Sequence, residues 1–121
     1  MKILVAKSAG YCFGVRDAVK IAYETSKNEG DVYMLGTIVH NERVVDDLSK
    51  AGAKVVNDLE KIPKDKPILF RAHGTAPQVW EKAKEKNMKV VDATCPLVIE
   101  IHEEIKKLES EGRRTIIIGD H

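Results

Sequence analysis

The sequence has few cysteines, no excess of charge of one sign and no long hydrophobic run, and each shortage excludes a class of protein. Its 121 residues include two cysteines, which we expect to be free thiols or metal ligands, because the cytosol keeps thiols reduced. Twenty basic and nineteen acidic side chains leave a net charge of +1, without a basic block that would bind a nucleic acid or a membrane surface. The N-terminus lacks the apolar core of a signal peptide, and no segment is apolar enough to span a bilayer. These absences predict a cytoplasmic protein with neither a nucleic acid nor a membrane as its partner.

Short apolar segments alternate with amphipathic helical patterns along the chain. The helical patterns have apolar residues on one face, as at Val15, Ala18 and Ala22. Strands that alternate with helices need crossover connections and therefore form a parallel sheet. The predicted fold class is α/β, with a mostly parallel sheet and flanking helices. The strand candidates are residues 2–6 (KILVA), 32–35 (VYML), 53–56 (AKVV), 67–70 (PILF), 89–92 (KVVD) and 115–119 (TIIIG).

The C-terminal quarter of the sequence permits two interpretations. A helical pattern follows Pro96, and the apolar segment 115–119 comes just before the last residue of the sequence. A buried parallel strand normally leads into a loop and a covering helix. We therefore expect a first α/β domain over residues 1–95 and the start of a second, truncated α/β unit over 96–121. In the alternative, residues 115–119 are the last edge strand of one compact domain.

Two cysteines and two histidines each follow a predicted strand. Cys12 follows the first, His40 the second, His73 the fourth and Cys95 the fifth. Ligands of open α/β sheets bind at the carboxyl ends of the strands, where loops and helix N-termini meet. A lone cysteine is usually a small buried hydrophobe. Independently placed residues would scatter over both ends of the sheet, so four at one end predict a shared site.

The chemistry of these four residues leaves several kinds of site open. Both cysteines come just before predicted helices, whose N-termini favour a thiolate, the form that binds metals. A Cys2His2 zinc site is chemically feasible, although zinc ligands usually come in local pairs. An iron–sulfur cluster normally needs more than two thiolates, so a third would have to come from elsewhere. Without a metal, the histidines could bind an anion such as phosphate or donate protons.

Four motifs in register make the sequence resemble a known enzyme family. In their order and spacing they resemble the N-terminal part of the 4-hydroxy-3-methylbut-2-enyl diphosphate reductases, which close the non-mevalonate route to isoprenoids. The resemblance extends over the whole chain, and four motifs in register are far more specific than any one of them. The motifs are residues 10–15 (GYCFGV), 39–41 (VHN), 72–74 (AHG) and 92–96 (DATCP).

The resemblance implies a role for each of the four candidate residues. Cys12 and Cys95 match cysteines that bind a [4Fe-4S] cluster in the family. His40 and His73 match histidines that contact the substrate diphosphate. The implied reaction is a two-electron reductive dehydroxylation that yields isopentenyl and dimethylallyl diphosphate. Ferredoxin or flavodoxin supplies the electrons in the family.

The sequence departs from the family by ending early. The family's full chain forms three similar α/β units around the cluster, and it includes a third cysteine and a His-Pro-Glu segment that this sequence lacks. His121 comes slightly too early to match that segment's histidine, so its role is undetermined, and His102 is assigned no function. We therefore expect this chain alone to be a fragment that neither holds an intact cluster nor turns over substrate.

Overall fold

The structure, a computed structural model, describes residues 1–119, so His121 lies outside the described residues. The helices are α1 (Phe13–Glu29), α2 (Glu42–Lys50), α3 (Pro77–Glu85) and α4 (Pro96–Ser110). The strands are β1 (Val32–Leu35), β2 (Ala53–Val56), β3 (Ile68–Phe70) and β4 (Val90–Asp92), and a short 3-10 helix covers Leu59–Lys61. Each helix of the described part of the chain is too short or too polar to span a bilayer.

The strands form one four-stranded parallel sheet in the order β2-β1-β3-β4. Val32 pairs with Ala53 on one side of β1, and Tyr33 pairs with Ile68 on the other. Each strand therefore ends at the same edge of the sheet. This arrangement confirms the predicted α/β fold with a mostly parallel sheet and flanking helices.

Two hydrophobic clusters cover the opposite faces of the sheet. On one face, Ala18 and Ala22 of α1 pack with Met34 and Leu48, and their small side chains let the helix approach the strands closely. On the other face, Phe70 packs with Ile68 and with Ala83 of α3. The Phe70 ring also meets Trp80 edge to face, with 4.6 Å between the ring centroids. These contacts fix the helices whose N-termini lie at the carboxyl edge of the sheet.

The predictions of strands over residues 2–6 and 115–119 are wrong. Both segments are irregular, and neither pairs with the sheet. Val5 is 79% exposed and Ile118 is 95% exposed. A strand needs a neighbour to take its backbone hydrogen bonds, and an apolar pattern indicates a tendency to be buried without showing what covers it. Residues 115–119 are therefore not the edge strand that the one-domain alternative requires.

The last helix contacts the rest of the chain along one side only. No residue of α4 is fully buried. Val98 and His102 approach Gly74 in the loop after β3, whereas Leu97 and Ile101 are exposed. The division into a domain over 1–95 and a second unit over 96–121 stays a prediction.

Candidate functional site

Three of the four predicted site residues follow strands at the carboxyl edge of the sheet. His40 follows β1, His73 follows β3 and Cys95 follows β4. The strand predicted before Cys12 is absent, so this cysteine reaches the same edge differently, as the N-cap residue of α1. The interpretation of one shared edge is therefore right for three residues, and for Cys12 its structural reason is wrong.

The two histidines stack against each other. Their ring centroids are 4.5 Å apart, with 26° between the ring planes. His40 immediately precedes Asn41, the N-cap of α2, whose side-chain oxygen accepts the backbone N–H of Val44 at 3.1 Å. Both histidines are accessible to solvent, although His73 is partly buried. The pair therefore offers two nitrogen-bearing rings to a ligand in solvent.

The surroundings of His73 disfavour its protonated form. Partial burial lowers the pKa of His73 from its ordinary value, and the positive charges of His40 and Arg71 lower it further. A bound anion acts in the opposite direction, because a negative charge favours the imidazolium. The protonation state of His73 is therefore expected to respond to an anionic ligand.

Cys95 is tied to the loop that carries His73. Its backbone N–H donates to the carbonyl oxygen of Ala72 at 3.0 Å. Just before it, Asp92 accepts the backbone N–H of Thr94 at 3.0 Å and also the Thr94 hydroxyl. Cys95 is the N-cap of α4, but its thiol makes no capping hydrogen bond. The sulfur is thus positioned by the backbone and free to bind something else.

Gly14 brings the N-termini of the two cysteine-capped helices together. A Cβ added to Gly14 would lie 2.5 Å from Sγ of Cys95 and 3.0 Å from its Cβ. The Cys95 side chain therefore rests directly on the first turn of α1. Cys12 lies two residues earlier, exposed, and its thiol also makes no capping bond. The two thiols belong to helix ends that touch.

No role was predicted for His102, although the structure places it beside the loop that carries His73. Gly74 has a φ of +86°, and a Cβ there would lie 3.0 Å from Cε1 of His102 and 3.5 Å from Cγ1 of Val98. Together with Thr94, these residues recur every four positions and pack on the loop next to His73. The four-residue spacing places Val98 and His102 on one face of α4, in line with Thr94 just before the helix, and could have been noticed in the sequence. It could not show which loop that face contacts.

The described residues contain no group of three or more His, Cys, Asp and Glu side chains able to hold a metal ion. The expected residues separate instead into a stacked imidazole pair and two thiols at helix ends. A Cys2His2 zinc site, which needs all four around one ion, receives no support from this arrangement.

Comparison with known proteins assigns the chain to a family. A family model described as LytB protein matches residues 3–121. The chain belongs to the LytB family. Among curated relatives, the 4-hydroxy-3-methylbut-2-enyl diphosphate reductase of Clostridioides difficile is 40% identical over 121 residues, which are 99% of this chain and 43% of the relative. The reductase of the same name from Geobacter sulfurreducens is 40% identical over 120 residues, which cover 99% of this chain and 42% of the relative.

Solved structures agree with this assignment to LytB. The E-1-hydroxy-2-methyl-but-2-enyl-4-diphosphate reductase from Plasmodium falciparum matches with a TM-score of 0.83 and 36% identity, over 87% of this chain and 33% of that chain. A second structure, described as (E)-4-hydroxy-3-methyl-but-2-enyl diphosphate reductase, matches with a TM-score of 0.82 and 38% identity, over 98% and 42% of the two chains. The resemblance expected from the motifs is confirmed, and the chain spans less than half the length of these relatives.

Proposed function

We propose that this chain is the N-terminal part of a 4-hydroxy-3-methylbut-2-enyl diphosphate reductase. The proposed reaction is the two-electron reductive dehydroxylation of that substrate to isopentenyl and dimethylallyl diphosphate. The observation that carries the proposal is the position of Cys95. Its sulfur rests on Gly14 in the first turn of α1, the helix that Cys12 caps, while its backbone N–H donates a hydrogen bond to Ala72, the residue before His73. Thiols and imidazoles are thereby linked at one edge of the sheet.

The thiols suit two ligands of a [4Fe-4S] cluster. Neither thiol is used for helix capping, and each lies at a helix N-terminus, where the dipole favours the thiolate. Gly14 offers backbone without a side chain next to them. Two thiolates are fewer than such a cluster normally uses, so we assign the third to a part of the protein outside this chain. The bound cluster would supply the electrons for removal of the substrate hydroxyl.

The imidazoles suit the diphosphate of the substrate. Protonated His40 and His73 would donate charge-assisted hydrogen bonds to phosphate oxygens. Because the rings are stacked at 4.5 Å, one diphosphate can contact both. Such contacts hold the substrate and orient its hydroxyl-bearing end toward the thiols, which reduces the entropy lost on reaching the reactive geometry.

The electron donor and the location of the protein complete the proposal. We assign ferredoxin or flavodoxin as the donor, on the family resemblance alone. A cytoplasmic location, where thiols stay reduced, is part of the same proposal.

The test compares the 121-residue chain with the full-length protein that carries it. Both are reconstituted anaerobically with iron and sulfide, and iron, sulfide and isoprenoid diphosphate products are measured. We expect the full-length protein to hold about four iron atoms and to form both products, and the isolated chain to do neither. Colourless full-length protein with one zinc per chain would contradict the proposal and favour a zinc module instead.

A further inference from the structure

Arg71 lies against Gly36 at the carboxyl edge of the sheet. Met34 of β1 pairs with Leu69 of β3, so the residues two positions further along each strand, Gly36 and Arg71, come side by side. A Cβ added to Gly36 would lie 3.1 Å from Nη1 of Arg71 and 3.9 Å from its Cδ. The arginine side chain therefore lies across the glycine, in space that any other residue would fill.

Arg71 has no acidic partner among the residues that the structure describes. Within residues 1–119, Arg71 takes part in none of the ion pairs, and its side chain is exposed. It lies two residues before His73, and its charge contributes to the lowered pKa of that histidine. Three basic groups thus gather where β1 and β3 end. Basic groups without an acidic partner repel one another, and an anion bound among them relieves the repulsion.

We propose that Arg71 is a further diphosphate-binding residue, and that Gly36 is small so that the guanidinium can lie beside His40 and His73. This inference rests on the proposed function. A guanidinium presents parallel N–H donors that match two phosphate oxygens. A guanidinium also stays charged at every physiological pH, whereas partial burial and nearby positive charge lower the pKa of His73 and disfavour its protonated form. Arg71 therefore holds the anion under conditions in which His73 binds it weakly.

The binding test uses the reconstituted full-length protein and inorganic pyrophosphate as the probe, with isothermal titration calorimetry. We expect Arg71→Met to weaken pyrophosphate binding about tenfold, the loss of a typical charge-assisted hydrogen bond, and Arg71→Lys to fall between. Lys64→Met is the control, because it removes one positive charge from the loop before β3, at the opposite edge of the sheet. Its affinity should match that of the wild type.

The outcomes separate this inference from the proposed function. Wild-type binding that Arg71→Met leaves within twofold would overturn the role of Arg71 and leave the proposed function intact. A wild type that binds no pyrophosphate would overturn both. In steady-state turnover, Arg71→Met should raise KM for the diphosphate substrate and leave kcat nearly unchanged, as expected for a contact made equally before and during reaction.

A double-mutant cycle tests the role of Gly36. Gly36 has a φ of +74°, so Gly36→Ala strains the backbone whether or not Arg71 is present. The part of its effect on pyrophosphate affinity that comes from displacing the guanidinium should vanish in an Arg71→Met background. Equal losses of affinity in both backgrounds would show that Gly36 does not act through Arg71.

Discussion

The contact between Gly14 and Cys95 makes a quantitative prediction. Gly14 is buried in the first turn of α1, and its φ is not in the left-handed region. If nothing else touched this position, Gly14→Ala would stabilise the helix by about 0.5–1 kcal/mol, because alanine loses less backbone entropy than glycine. The sign of the measured change therefore reports on the neighbouring cysteine.

The size of the effect follows from the distances. The new Cβ would lie 2.5 Å from Sγ of Cys95, whereas nonbonded heavy atoms normally sit about 3.5–4.0 Å apart. The helix end or the cysteine must move by about 1 Å, and overpacking of this kind costs about 1–3 kcal/mol. With the middle of each range, about 2 kcal/mol for the overpacking and about 0.75 kcal/mol for the helix gain, we expect Gly14→Ala to destabilise the protein by about 1 kcal/mol.

The assay is urea unfolding of the cluster-free, reduced full-length protein, followed by circular dichroism. Cys95→Gly provides the matched background, because it removes both side-chain atoms near Gly14 and glycine is tolerated at an N-cap. In that background Gly14→Ala should be neutral or stabilising, since the remaining Cys95 Cα lies at 3.9 Å, an ordinary contact distance. If Gly14→Ala is as stable as the wild type while Cys95 is present, the proposed juxtaposition of the two helix ends is wrong.

Three further predictions concern the imidazoles, the loop beside them and the core. Because the folded state lowers the pKa of His73, the unfolded state binds its proton more tightly, and the free energy of unfolding should fall as pH drops below about 6.5. Urea unfolding at several pH values should show that this fall is smaller for His73→Gln. An equal fall in the variant and the wild type would contradict this. Gly74→Ala should lower the stability of the protein by about 1–3 kcal/mol, because the backbone φ is +86° and the new Cβ would lie 3.0 Å from Cε1 of His102. In a His102→Ala background, thermal unfolding should show that the part of the loss due to this contact disappears and the part due to φ remains. Phe70→Ala should cost about 3–5 kcal/mol, because Phe70 is fully buried, and a loss below 1 kcal/mol by denaturation would show that the α3 face is not packed as described.

The central strands were predictable because their neighbours lie within the chain. The predicted segments 32–35 and 53–56 match β1 and β2, and 67–70 and 89–92 differ from β3 and β4 by one residue at the start. Each of these four strands pairs with a parallel neighbour in the same chain, so the burial that its apolar residues predict is realised within the sheet. The segments 2–6 and 115–119 carry the same pattern, but no described strand pairs with them. A pattern of apolar residues cannot reveal whether a partner strand exists.

The position of three candidate residues at one edge of the sheet could be predicted because each comes within five residues after the end of a strand. These are His40, His73 and Cys95, and their meeting at one edge follows from parallel pairing, whereas Cys12 reaches that edge without a preceding strand. Arg71 and His102 were not predicted because each packs against a glycine that is distant in the sequence. Which side chain fills the space above a glycine depends on how strands and helices pack, and no local spacing encodes that.

The central claim is that Cys12 and Cys95 bind one cluster, and thiol alkylation read by mass spectrometry tests it most directly. Full-length protein with its cluster intact is treated anaerobically with iodoacetamide, before and after removal of the iron by a chelator. We expect both cysteines to be protected while the cluster is bound and both to become reactive together when it is removed. Full alkylation of either cysteine with the cluster still intact would contradict the account.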